Sequence, residues 1–70
     1  MKISARNTLK GTVKQVKEGA VNNEIIIQLA GGEEITSIIT QASSNALGLK
    51  AGTSVIAVIK ASNVMVALED

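Results

Sequence analysis

The chain contains no cysteine, no histidine and no aromatic residue. Without cysteine there is neither a disulfide nor a thiolate metal site. Without histidine there is no imidazole to ligate zinc or to act as a base near neutral pH. These absences argue against a resident metal cation. The missing aromatics remove the rings on which single-strand nucleic-acid binders stack bases. They also leave no large side chain to fill a core. Charge of either sign is sparse too: seven Lys and Arg against six Asp and Glu give a net charge of +1, which disfavours a polyanion-binding surface. No stretch approaches the roughly 18 apolar residues of a membrane span, and the start Met1-Lys2-Ile3-Ser4 lacks the apolar run of a signal peptide. A cytoplasmic location with no membrane partner is the expectation.

What is present is aliphatic and β-branched: nine Ile, seven Val and five Leu among 70 residues. Such a composition favours strands, and so short a chain reads as one domain over residues 1–70, close to the size at which a single core needs help. Oligomerisation is the expected source of that help.

Along the chain, Thr8–Gly19 suits a long, partly exposed first strand. Leu9, Gly11 and Val13 share one face and Lys10, Thr12 and Lys14 the other. Glu24–Leu29 forms the second strand, closed by the hairpin signal Ala30-Gly31-Gly32, and Glu33–Thr40 the third. Ile25-Ile26-Ile27 and Ile38-Ile39 put apolar side chains on both faces of their strands, and a second subunit would most easily cover the outer ones. Gln41–Gly48 reads as one or two helical turns with Thr40 or a neighbour as N-cap and Gly48 as the stop. Val55–Ile59 and Val64–Leu68 supply strands four and five around the turn Ala61-Ser62-Asn63, with Lys60 at their junction. The fold expected is therefore all-β: a five-stranded Greek-key barrel of oligonucleotide/oligosaccharide-binding (OB) type, with one short helix between the third and fourth strands.

Catalysis has little support. There is no nucleophile-elbow serine, no phosphate-cradling loop and no pair of carboxylates in an apolar setting, so the chain is not expected to be an enzyme or to hold a cofactor. What remains is donors: Arg6, Lys60, the hydroxyls of Ser4, Thr40, Ser43 and Ser62, and the amides of the helix start. Two cations and several neutral donors suit a fully deprotonated oxyanion, which offers only acceptors.

Ser4-Ala5-Arg6-Asn7 with Leu9 and Gly11, then Ile35-Thr36-Ser37-Ile38-Ile39-Thr40, Leu47-Gly48-Leu49 and Val58-Ile59-Lys60-Ala61-Ser62 resemble the molbindin family, over essentially the whole chain. These are small cytoplasmic molybdate-binding proteins of the Mop type. The resemblance implies a homo-hexamer built as a trimer of dimers. Its oxyanion sites, for molybdate or tungstate, would lie at subunit interfaces. By position, Ser4 and Arg6 would come from one subunit and Thr40, Ser43 and Lys60, with Ala61 and Ser62, from its neighbour. A storage, buffering or homeostatic role follows from it. Two other readings share the fold: a nucleic-acid-binding barrel, which would want the aromatics this chain lacks, and a purely structural assembly module, in which the donors would be incidental.

Overall fold

The computed structural model describes residues 1–69. Four strands form one antiparallel sheet: β1 (Asn7–Glu18), β2 (Asn22–Leu29), β3 (Glu34–Thr40) and β4 (Ser54–Ile59), in the order β3-β2-β1-β4. A short helix, α1 (Gln41–Ala46), joins β3 to the loop before β4, and a single 3₁₀ turn (Ala61–Asn63) follows β4.

β1 is the longest strand and pairs on both sides, with β2 along its C-terminal half and with β4 along its N-terminal half. Its period-2 pattern turns Gly11 and Val13 inward and Lys10, Thr12 and Lys14 outward, as the sequence suggests. An irregularity in the pairing with β2 between Val13 and Gln15 then resets the alternation, so that Val16 faces inward as well. Such a bulge bends and twists the strand, and the sheet curls around it. Gly11 lies where β1 passes closest to β2: a Cβ built there would stand 2.6 Å from Ile27 Cγ2 and 2.8 Å from the Gln28 carbonyl oxygen.

The consecutive isoleucines alternate in burial. Ile25 and Ile27 are inside, Ile26 is half-buried on the outer face, and Ile38 is 67% exposed beside the half-buried Ile39. Val13, Ile25, Ile27 and Ala57 form the buried core, with Val16, Leu29, Ile35, Ile39, Leu49 and Val55 packed around it. Buried Asn23 closes the β1–β2 loop, its Oδ1 accepting from the Gly19 amide at 3.3 Å. The β2–β3 turn forms at Ala30-Gly31-Gly32 with Gly32 at φ 95°, a conformation that suits glycine. Gly48, at φ 65°, ends the helical region as expected, although the regular helix stops at Ala46.

The fifth strand does not form within the chain, and the closed five-stranded Greek-key barrel is corrected to a curled four-stranded sheet. Val64–Leu68 carries no ladder, and Met65, Val66 and Leu68 are 94%, 89% and 92% exposed. Its composition is that of a strand, but a strand exists only where an edge accepts its hydrogen bonds, and this segment lies against none. The sheet consequently keeps two free edges, β3 and β4.

Candidate functional site

Arg6 and Lys60 are the residues immediately beyond the last β1–β4 pair, Asn7 with Ile59. That end of the pairing is clamped by the Asn7 side chain, whose Nδ2 donates to the Ile59 carbonyl oxygen at 3.2 Å across 52 residues of sequence. Two exposed cations are thus brought to one end of the sheet by backbone pairing rather than by any attraction between them. Neither makes an ion pair among the described residues; the carboxylates that do, Glu34 and Glu24, serve Lys14 and Lys17.

Beside them the chain after Lys60 turns through a 3₁₀ bend in which the Asn63 amide donates to the Lys60 carbonyl at 2.9 Å and the Val64 amide to the Ala61 carbonyl at 3.2 Å. The turn leaves the Ala61 and Ser62 amides outside its own bonding, next to the exposed Ser62 hydroxyl. Ser4, also exposed, stands two residues before Arg6. Ser4, Arg6, Lys60, Ala61 and Ser62 therefore share one end of the fold.

Thr40 and Ser43 do not join them. Thr40 pairs with Asn22 at the far end of the sheet, and the amide of the following residue, Gln41, donates to the Val21 carbonyl in the β1–β2 loop at 2.8 Å. The 12 residues of β1 separate the two ends. The resemblance groups Lys60 with Thr40 and Ser43 in one subunit; within a single chain Lys60 stands instead at the Arg6 end.

Thr40 caps α1 with its Oγ1 accepting from the Ser43 amide at 3.0 Å and donating to Ser43 Oγ at 2.8 Å. The Gln41 and Ser43 amides of the helix start are accordingly already engaged, and the Ala42 amide and the Ser43 hydroxyl proton are the donors left to an outside acceptor at this end. Asn7 is the residue that sequence reasoning passed over. It sits inside the Ser-Ala-Arg-Asn tetrapeptide, and its role became visible only once β1 and β4 were known to pair.

Residues 3–66 match the TOBE domain model. The chain belongs to the TOBE-domain family. Within that family this TOBE protein is of the Mop type: it is 52% identical to molybdenum-pterin-binding protein 3 of Clostridium pasteurianum over 94% of its own length and 97% of the relative's. The TOBE fold seen here superposes on that of a molybdate-binding protein from Sporomusa ovata with a TM-score of 0.91, at 38% identity, covering 97% of this chain and 100% of the other. It also superposes, with a TM-score of 0.84 and 54% identity, on the cytoplasmic molybdate-binding protein ModG with molybdate bound, covering 87% of this chain and 43% of that one. No helix of the described TOBE chain is long and apolar enough to cross a membrane.

Proposed function

We propose that residues 1–70 act as a single domain that binds molybdate or tungstate in the cytoplasm, to store or buffer the oxyanion rather than to transform it. The sites lie between subunits of a homo-hexamer arranged as a trimer of dimers. The observation that carries this reading is the separation of the donors. Arg6 and Lys60 lie together at one end of the sheet without a described carboxylate, whereas Thr40 and Ser43 lie at the other. A single anion can meet both sets only where two copies adjoin. There the cations of one copy, with Ser4, Ser62 and the Ala61 and Ser62 amides, would balance a dianion. The hydroxyls of the other would complete its shell. Exclusion of water at such a boundary strengthens each of these bonds. The names of the relatives, which are binding proteins for molybdate or molybdenum-pterin, support the same ligand class.

Native mass spectrometry with and without molybdate tests the reading, because it reports assembly and anion count together. The expected result is a hexamer that gains mass in whole molybdate units. A monomer at micromolar concentration, or a hexamer that takes up no molybdate, would overturn it.

A further inference from the structure

Asparagine is among the residues that strands disfavour, yet Asn7 opens β1 at a half-buried position. It pairs with half-buried Ile59, the last residue of β4, and the residues that follow it on the same face of β1 are Leu9, Gly11 and Val13. An aliphatic side chain would suit that place better if packing were its purpose. What the amide supplies instead is a donor, with Nδ2 at 3.2 Å from the Ile59 carbonyl oxygen. Beyond this pair the ladder stops on both segments. Residues 1–6 form no strand, and Lys60 leads directly into the 3₁₀ turn. The amide bond is therefore the last cross-strand link, among the described residues, before Arg6 on one side and Lys60 on the other. Terminal pairs of a sheet open more readily than its interior. Arg6 and Lys60 are exposed and their side chains are long and rotamer-rich, so the spacing at which they are presented depends on how firmly the backbone beneath them is held.

We propose that Asn7 is a positioning residue of the anion site. Its side-chain amide ties the end of β1 to the end of β4, so that Arg6 and Lys60 meet one anion at a fixed spacing, and it does so without touching the anion. A neutral amide suits this task where a carboxylate does not. Aspartate has nearly the same shape, but when ionised it donates no hydrogen bond, and its charge next to both cations competes with the ligand. The tether also explains why a polar side chain stands on the inward face of β1 without any contribution to the core. This inference rests on the proposed anion-binding reading and adds to it a residue that acts through the two cations.

Molybdate calorimetry at neutral pH on full-length Asn7→Leu, Asn7→Ala and Asn7→Asp proteins tests it, with folding followed by circular dichroism and assembly by native mass spectrometry. Leucine keeps the side-chain bulk and removes the donor, so Asn7→Leu should unfold at or above the parent's temperature and yet bind more weakly. Loss of one hydrogen bond corresponds to a dissociation constant raised about three- to tenfold. Asn7→Ala should show the same loss of affinity, and Asn7→Asp a larger one. Ile27→Val is the control for general destabilisation: it trims a buried core residue, should lower the unfolding temperature by a few degrees, and should bind molybdate like the parent. A residue that merely stabilises the fold does not alter binding by protein that is fully folded and assembled. Asn7→Leu or Asn7→Ala protein that binds as tightly as the parent, or an equal loss of affinity in Ile27→Val, would overturn the proposal. If the Asn7 variants bind like the parent while Arg6→Ala and Lys60→Ala bind weakly, the tether alone fails and the anion site stands; a parent that binds no molybdate removes both.

Discussion

Gly11→Ala is expected to destabilise the protein although alanine is the better residue in an ordinary strand. In the parent, a Cβ at this position would come within 2.6 Å of Ile27 Cγ2, 2.8 Å of the Gln28 carbonyl oxygen and 3.3 Å of Leu29 Cδ2. The carbonyl belongs to the strand ladder and cannot retreat without loosening the β1–β2 pairing around Gly11 and Leu29. Ile27 is only 6% exposed and part of the core, so it cannot swing aside without opening a void. Overpacking of this kind costs about 1–3 kcal/mol. The lower backbone entropy of alanine returns about 0.5–1 kcal/mol. The net is a loss of about 1–2 kcal/mol, or a fall in Tm of roughly 5–15 °C for a domain of this size. Thermal and urea unfolding followed by far-UV circular dichroism measure it, with protein concentrations matched because any assembly makes Tm concentration-dependent. Gly31→Ala is the control, since its nearest obstacle is the flexible Glu33 carboxylate, and it should unfold close to the parent. A Gly11→Ala protein as stable as the parent, or more so, would refute the close-approach reasoning.

Arg6→Ala and Lys60→Ala should each weaken molybdate binding by about 2–5 kcal/mol, tens- to thousandfold, because each removes a cation from a desolvated dianion. Lys10→Ala, on the outer face of β1, should change little; calorimetry in which all three variants bind like the parent would remove the cations from the site. Calorimetric competition at neutral pH should rank molybdate and tungstate together, sulfate well below and phosphate lowest. Phosphate retains a proton that a donor-only site cannot satisfy, and sulfate is too small for donors spaced for a larger tetrahedron. Phosphate binding as tight as molybdate would contradict the donor-only site.

Much of the local structure was legible in the residues themselves. The first four strands, the Ala30-Gly31-Gly32 turn, the Thr40 cap and the stop at Gly48 all depend on interactions within a few positions of sequence. The bulge between Val13 and Gln15 was not legible, because a bulge is a mismatch between two paired strands and has no signature in one strand alone. The isoleucine runs showed that both faces of β2 and β3 are apolar. Which of those isoleucines lie inside followed from the curl of the sheet.

By itself the sequence determined an all-β chain without aromatic, cysteine or histidine chemistry, and the candidate site residues it offers are hydrogen-bond donors, which points to acceptor-rich ligands. Tertiary structure alone decided how those donors are grouped. Antiparallel pairing of β1 with β4 sets Lys60 beside Arg6 despite their distance in sequence, while the length of β1 keeps Thr40 and Ser43 away from both. It also decided the fate of Val64–Leu68. Alternation announces that a segment can be a strand, but whether it becomes one depends on an edge that accepts it, and within one chain that edge is not beside it.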